Sequence, residues 1–221
     1  MSEESKSSMI EIVPAILPKS FEELQHELER LRGLRAQAGT SKEVQVDLVG
    51  TNILRGREAF PYWDEFDFEC DVMLPDPERE AQTCIDIGAA RIVVHAPDAL
   101  EILQPYRTGE YPVAVGIALA AHDSPEALRG IEGRYDFVQV MGIKNIGSQG
   151  QPPAPEALNL VRALRERYPE LIIQVDGAIA PRAREFAQAG ANRLIVGSAI
   201  IGAENPRAVY KQLYTEANAL R

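Results

Sequence analysis

Two aspartates, Asp47 and Asp176, are the best candidates for acid–base chemistry, because each lies near the end of an apolar β-type run. The alternation of side chains along a strand puts Gln45, Asp47 and Val49 on one face. A carboxylate inside an apolar strand is costly unless it is paired or functional. Two carboxylates on opposite sides of a pocket can remove a proton from one face of a carbon and return one to the other face. The pair therefore predicts proton transfer that inverts a carbon next to a carbonyl.

Two glycine turns near the C-terminus carry a second pattern, which is typical of anion binding. Gly177 and Gly197 each follow a short β-type run and precede a helical pattern. Glycine leaves backbone N–H groups uncovered, and the following helix adds its positive end. One such turn is usually only a turn, but two on neighbouring strands form a cup suited to phosphate. The predicted phosphate-binding residues are Gly147, Ser148, Gly177, Ala178, Gly197 and Ser198.

Eight apolar β-type runs alternate with helical patterns along the chain, without a linker or a change of composition. This alternation favours a parallel sheet, and eight units in one domain favour a closed (β/α)8 TIM barrel. The helical pattern after the second predicted strand is weak, because Pro61 interrupts it. Strands are predicted at 10–17, 44–49, 68–74, 91–95, 112–119, 136–141, 171–175 and 193–196, within one domain over 10–221 that follows a disordered tail over 1–9.

Further site candidates lie at the carboxyl ends of strands, where TIM barrels place their working residues. His95 ends the fourth strand and His122 follows the fifth, so both are catalytic candidates beside Asp47 and Asp176. Asp71 shares a strand face with Glu69 and Met73, and we expect it to be a buried, hydrogen-bonded structural group. The predicted substrate-pocket residues are Gln45, Met73 and Met141.

The bulk composition excludes several kinds of partner. A net charge of −10 opposes general nucleic-acid binding, which needs a basic face. No apolar run is long enough to cross a bilayer, and the first residues lack the apolar core of a secretory signal. Cys70 and Cys84 lack metal-type spacing and are typical of reduced thiols. We therefore expect a cytoplasmic protein with no nucleic-acid and no membrane partner, and a homo-oligomer, as barrels of this size often form.

Several short motifs, in a fixed order and spacing, are similar to those of one family of TIM barrels. They are Pro14-Ala15-Ile16-Leu17, Val46-Asp47-Leu48, Asp71-Val72-Met73-Leu74, Gly88-Ala89-Ala90, Val140-Met141, Asp176-Gly177-Ala178-Ile179 and Gly197-Ser198-Ala199-Ile200. Over nearly its whole length the chain resembles the ribulose-phosphate 3-epimerase family. The resemblance implies a phosphate site and a sugar phosphate partner, a pentulose or hexulose phosphate.

The same resemblance implies a metal centre, but this chain keeps only two of its four ligand residues. In the family, two His and two Asp hold a divalent metal that stabilises an enediolate, while the Asp pair shuttles the proton. Carried over, the Asp ligands would be Asp47 and Asp176, but the His positions are Gln45 and Met73. An amide oxygen and a thioether are poor replacements for imidazole at a zinc-like site. We therefore expect no cofactor, with a divalent metal on Asp47 and Asp176 as the alternative.

Three functional hypotheses follow. The first is an isomerase or epimerase of changed mechanism, in which Asp47 and Asp176 transfer protons and His95 or His122 polarises the carbonyl or joins a relocated metal site. The second is a non-catalytic relative that binds a phosphosugar as a sensor or a partner subunit. The third is an ordinary epimerase that tolerates the missing histidines. Exchange of solvent deuterium at C3 of the substrate separates an enzyme from a pure binder.

Overall fold

The computed structural model describes residues 9–35, 42–50, 53–54, 65–147 and 150–219. Eight parallel strands pair in chain order and β8 pairs with β1, so the sheet closes and the predicted TIM barrel is confirmed. The strands are β1 Glu11–Ile16, β2 Glu43–Val49, β3 Asp67–Met73, β4 Arg91–Val94, β5 Ala114–Leu119, β6 Phe137–Met141, β7 Ile172–Asp176 and β8 Arg193–Val196. The helices are α1 Phe21–Arg35, α2 Pro77–Asp86, α3 Ala99–Leu103, α4 Pro155–Arg167, α5 Ala183–Ala189, α6 Ser198–Ile201 and α7 Pro206–Asn218.

Two predicted segments fall largely outside the described residues. The weak helix around Pro61 is one of them, and the tail over 1–9 is the other, of which only the exposed Met9 is described. No helix in the described part of the chain is both long enough and apolar enough to span a membrane.

Two helices begin at a side-chain cap followed by a proline. Asp76 and Asn205 each accept a backbone N–H from the first turn of α2 and α7, and a proline follows each cap. Ser124 precedes a proline in the same way, but only a 3-10 turn forms there, Pro125–Leu128. The Ser124 hydroxyl donates to the Glu126 carboxylate instead of capping the backbone. The connection between β5 and β6 therefore contains a 3-10 turn in place of an α-helix.

The outward faces of the strands are apolar and pack against the helices. Cys70 and Val72 of β3 and Ile173 and Val175 of β7 are buried in one continuous core, together with helix residues such as Leu28. Because side chains alternate along a strand, the residues between them point into the barrel. The same packing that fixes the helices therefore fixes which residues reach the interior.

The interior of the barrel is polar, whereas branched apolar residues usually fill the interior of this fold. Inward apolar side chains form two small clusters, one of Val13, Ala15 and Ile195 and one of Val93, Ala118, Phe137 and Met141. The remaining inward positions include eight buried polar residues: Gln45, Asp47, Glu69, Asp71, Gln139, Gln174, Asp176 and Arg193. Buried polar groups need hydrogen-bond partners, and these residues supply them to one another.

Candidate active site

A cavity of about 350 Å³ opens at the carboxyl ends of the strands, within the size range of small-molecule sites. The structure brings most of the predicted site residues to its walls. Those that line it are Asp47, Met73, Met141, Gly147, Asp176, Gly177, Ala178, Gly197 and Ser198. Gln45 is fully buried beneath the cavity, and Ser148 lies outside the described residues.

The turn after β7 is held in an unusual backbone conformation beside the cavity. Gly177 has a φ of 101° and Ala178 a φ of 52°, which is the left-handed region that a non-glycine residue rarely adopts. The Gly142 N–H donates to the Asp176 carbonyl at 2.5 Å. A Cβ on Gly142 would lie 2.1 Å from the Gly177 carbonyl oxygen. The glycine therefore permits a close approach of two backbones that shapes this wall of the cavity.

The loop after β6 covers one side of the cavity. The Gln151 side chain pins this loop, since its Oε1 accepts from Asn145 N at 3.1 Å and its Nε2 donates to the Asn145 carbonyl at 2.5 Å. A Cβ on Gly147 would lie 3.1 Å from Val49 at the end of β2. The loop and β2 therefore meet directly over the cavity.

The described lining of the cavity carries no cationic side chain. No Lys or Arg is among the described residues that line it, whereas two carboxylates are. An anionic ligand at this site would have to be held by backbone N–H groups, which glycine turns leave accessible.

Three carboxyl groups meet at the floor of the cavity. Oxygens of Asp47, Asp71 and Asp176 lie within 4.8 Å of one another, a spacing that could hold a metal ion. His95 Nε2 hydrogen-bonds with Asp71 Oδ1 at 2.7 Å. From the sequence alone, Asp71 is expected to be a structural group. It is fully buried and hydrogen-bonded, as such a group should be, but it also lies beside the two candidate acid–base groups.

Burial and mutual repulsion disfavour the ionised forms of Asp47 and Asp176. Burial, followed by the charge of Asp71, raises the pKa of Asp176 from 3.8 to about 8. Burial and the neighbouring Asp176 raise the pKa of Asp47 well above its usual value. Burial would lower the pKa of His95, but the Asp71 carboxylate outweighs it and the pKa of His95 is raised. Asp47 and Asp176 therefore hold protons to a higher pH than isolated aspartates do.

Two glutamine amides reach the cluster from below. Gln45 Nε2 donates to Asp47 Oδ1 at 2.8 Å and to Asp176 Oδ2 at 3.4 Å. Gln139 Nε2 donates to Asp71 Oδ2 at 2.6 Å. Each carboxyl group of the cluster therefore accepts at least one amide N–H.

A third glutamine and an arginine lie at the next level down. Gln174 Nε2 faces Glu69 Oε1 at 2.7 Å, Gln139 Oε1 at 2.5 Å and Gln45 Oε1 at 3.4 Å. Arg193 donates to Gln174 Oε1, and its guanidinium also pairs with Glu69 at 2.7 Å. Sequence reasoning missed this lower network, although Gln139 and Gln174 are polar residues inside apolar strands and could have been noticed.

The floor of the barrel is an ion-pair layer around Arg193. Its guanidinium contacts Glu11 at 3.0 Å and also contacts Glu43, and its centre lies 5.9 Å from the centroid of the Phe137 ring. Burial would lower the pKa of Arg193, but Glu69 and Glu43 raise it above its usual value. Arg193 is therefore a permanently charged donor at the base of the network.

The two predicted catalytic histidines lie in different surroundings. His95 is mostly buried and contacts the carboxyl cluster through Asp71. His122 is exposed in the turn after β5 and is not among the described residues that line the cavity. Its catalytic role stays a prediction.

Known proteins are similar to this chain in sequence and in fold. A model of the ribulose-phosphate 3 epimerase family matches residues 11–201. The ribulose-phosphate 3-epimerase of Schizosaccharomyces pombe is 28% identical over 211 residues, which cover 91% of each chain. The cytoplasmic isoform of this enzyme from Oryza sativa subsp. japonica is 31% identical over 154 residues, 66% of each chain. The crystal structure of 3-hexulose-6-phosphate synthase from Salmonella typhimurium superposes with a TM-score of 0.69 at 16% identity, covering 96% of this chain and 100% of that one.

Proposed function

The chain belongs to the ribulose-phosphate 3-epimerase family, and from this premise we propose that it binds a pentulose or hexulose phosphate and inverts the carbon next to the carbonyl. The observation that carries the proposal is the position of Asp47 and Asp176, two buried carboxyl groups on the floor of a cavity. The glycine turns after β7 and β8 line the same cavity. One cavity thus combines an anion site with an acid–base pair.

The phosphate would lie against the turns at Gly177–Ala178 and Gly197–Ser198. Since no described Lys or Arg lines the cavity, the backbone N–H groups of these turns supply the positive potential. The sugar then extends toward the aspartates, with Met73 and Met141 packing against its carbon chain. This placement positions the carbonyl and its neighbouring carbon above the carboxyl cluster.

Proton transfer requires one ionised and one protonated carboxyl group. The carboxylate removes the proton from C3, and the electrons of that bond move onto the carbonyl oxygen to give an enediolate. The protonated group then returns a proton to C3 from the opposite side, and the carbonyl re-forms. The raised pKa values of Asp47 and Asp176 suit this division, because two repelling carboxyl groups that share a proton present one acid and one base.

His95 would act through Asp71 as a positioning residue. Its Nε2 is engaged with Asp71 Oδ1, so this nitrogen is not available to a substrate carbonyl while the contact persists. The imidazole instead holds Asp71 against Asp47 and Asp176. We propose that this contact fixes the cluster and adjusts how many protons it carries.

The divalent metal that the family implies does not fit the residues at its ligand positions. Two of the four positions hold the Gln45 amide and the Met73 thioether. The Gln45 nitrogen, rather than its oxygen, faces Asp47 and Asp176, and a thioether suits soft metals only. We therefore propose proton transfer without a metal or another cofactor.

Deuterium exchange tests the proposed reaction. The protein is incubated with ribulose 5-phosphate in D2O, and deuterium at C3 is followed by NMR together with formation of the C3 epimer. We expect exchange and epimer formation with the wild-type protein, and neither with Asp176→Asn. Hexulose phosphates provide a second substrate series.

A non-catalytic phosphosugar-binding protein is the second candidate function. Gln45 and Met73 stand where the family carries two histidines, and this favours the second candidate. In relatives that keep them, the two imidazoles would stabilise the reaction. This alternative predicts that calorimetry detects binding of the sugar phosphate while C3 takes up no deuterium. Absence of both binding and exchange would contradict both candidates.

We also propose that the protein works in the cytoplasm. The support is that Cys70 and Cys84 are buried free thiols, and that one relative is named as a cytoplasmic isoform. Fractionation of cells that express the tagged chain tests the location. Self-association stays a prediction, which light scattering on the purified protein checks.

A further inference from the structure

The hydrogen-bond network inside the barrel has a direction, because its lower end can only donate. Arg193 carries no acceptor, so Gln174 must turn its carbonyl oxygen toward the guanidinium. The Gln174 amide nitrogen then faces away from Arg193, toward the next level of the barrel. Glu69 supports the same orientation of the Gln174 amide, because the Glu69 carboxylate accepts from the Gln174 nitrogen at 2.7 Å.

The orientation of Gln174 fixes Gln139 directly and favours one orientation of Gln45, because the two N–H groups of Gln174 are shared among Glu69, Gln139 and, at a longer distance, Gln45. Gln45 Oε1 lies 3.4 Å and Gln139 Oε1 lies 2.5 Å from the Gln174 nitrogen. If either amide turned around, two N–H groups would oppose each other in a buried site, and unpaired buried donors are costly. The nitrogens of Gln45 and Gln139 must therefore face the carboxyl cluster.

The Gln45 nitrogen consequently lies between the two candidate acid–base groups. It is 2.8 Å from Asp47 Oδ1 and 3.4 Å from Asp176 Oδ2. We propose that the Gln45 amide, oriented by Arg193 through Gln174, takes the place of the divalent cation that would bridge Asp47 and Asp176 in this family. Gln45 and Gln174 are then positioning residues. This inference rests on the proposed function only in treating Asp47 and Asp176 as the acid–base pair.

The network disfavours a cation in two ways. Gln45 cannot offer its oxygen to a metal without opposing the nitrogen of Gln174. Both oxygens of Asp71 are engaged, one with His95 and one with the Gln139 nitrogen, which also disfavours a site built on the three aspartates. The amide N–H groups of Gln45 and Gln139 supply positive potential at the carboxyl oxygens where a metal would otherwise lie.

Metal binding tests the proposal without any substrate. The wild-type protein is freed of metal by chelation and dialysis, then titrated with Zn²⁺, Mn²⁺ and Mg²⁺ by calorimetry, and its metal content is measured. We expect no stoichiometric binding. The double variant Q45H/M73H, which supplies two imidazoles beside two carboxylates, should retain about one equivalent of Zn²⁺. The matched control Q45H/M73H/D47N, which lacks one carboxylate, should lose most of that affinity.

Tight stoichiometric binding of any of the three cations by the wild-type protein would overturn the proposal. Loss of that binding in Asp71→Asn would then identify the three aspartates as the ligands. Failure of Q45H/M73H to bind metal while folded, as judged by circular dichroism, would also contradict it, because the amide would not be what excludes the cation.

Side-chain amide exchange tests the orientation of the network separately. In ¹⁵N-labelled wild-type protein, the Gln45 and Gln139 amide protons should exchange with solvent far more slowly than those of the exposed Gln212. Gln174→Leu should speed exchange at Gln45 by about tenfold or more, because its carbonyl loses the partner that fixes it. Gln212→Leu is the control and should change neither rate. Rapid exchange at Gln45 in the wild type would refute the ordered network, whether or not the protein turns over a sugar phosphate.

Discussion

Replacing Asp176 with asparagine should stabilise the protein at alkaline pH while it abolishes proton transfer. The pKa of Asp176 is raised from 3.8 to about 8 in the folded protein. Between these two values the folded protein keeps a proton that the unfolded chain releases. The free energy of unfolding therefore falls as pH rises, by about 1.4 kcal/mol per pH unit for one such group. Asparagine is neutral throughout, so it removes this dependence.

The expected magnitude follows from the width of that interval. A single independent group would lose roughly 6 kcal/mol between pH 4 and pH 8. Asp47 is a second buried carboxyl group whose pKa is raised by the neighbouring Asp176, so we expect about half of this, ~3 kcal/mol, as the gain in Asp176→Asn at pH 8. The gain should become small as the pH falls to about 4, close to the pKa of 3.8 at which the unfolded chain also takes up the proton. The amide oxygen of the introduced asparagine can still accept from Gln45, so little else should change.

Urea denaturation of both proteins between pH 4 and pH 9 measures this difference. Asp136→Asn is the matched control, because its pKa moves the other way. Partial burial opposes ionisation of Asp136, but hydrogen bonds from Arg107 and the Val115 N–H lower its pKa. Asp136→Asn should therefore destabilise the protein at neutral pH, with a penalty that shrinks as pH falls below about 4. Parallel stability curves for the wild type and Asp176→Asn from pH 4 to pH 8 would refute our account of the cluster.

Three further substitutions test the wall of the cavity, the floor of the barrel and the histidine. Gly142→Ala brings a methyl group 2.1 Å from the Gly177 carbonyl oxygen. It should lower the free energy of unfolding measured in urea by roughly 2–3 kcal/mol and should also weaken binding of the sugar phosphate. Gly133→Ala, with a φ of 81° but open space, should cost only about 1 kcal/mol. Arg193→Met removes the cation paired with the buried Glu69 and leaves Glu43 paired with Arg91, and it should cost about 3–5 kcal/mol. By contrast, Arg134→Met, in an exposed pair, should cost less than about 1 kcal/mol. His95→Asn should lower kcat more than it raises KM for ribulose 5-phosphate. His26→Asn, at an exposed helix position, is the control, and equal kinetics in the two variants would contradict the role of His95.

Local patterns were enough to predict the barrel and most of its cavity. Period-two alternation puts Asp47 on the face of β2 and Asp176 on the face of β7 opposite the apolar residues that pack against the helices. Cap residues such as Asp76 and Asn205 fix helix starts through bonds within one turn. The pair Ser124-Pro125 shows the limit of such patterns, because the chain after it leaves the helical conformation at Gly130, which has a φ of 86°, and only a 3-10 turn forms.

The network beneath the cavity could not be predicted in the same way. Arg193 and Glu69 are 124 residues apart, and Gln45 and Asp176 are 131 residues apart. Which inward residues meet across the barrel depends on how the strands are staggered when the sheet closes, and no stretch of sequence encodes that stagger by itself. The chain therefore determined on its own that polar groups enter the barrel, while closure decided which of them face each other and the direction in which their amides point.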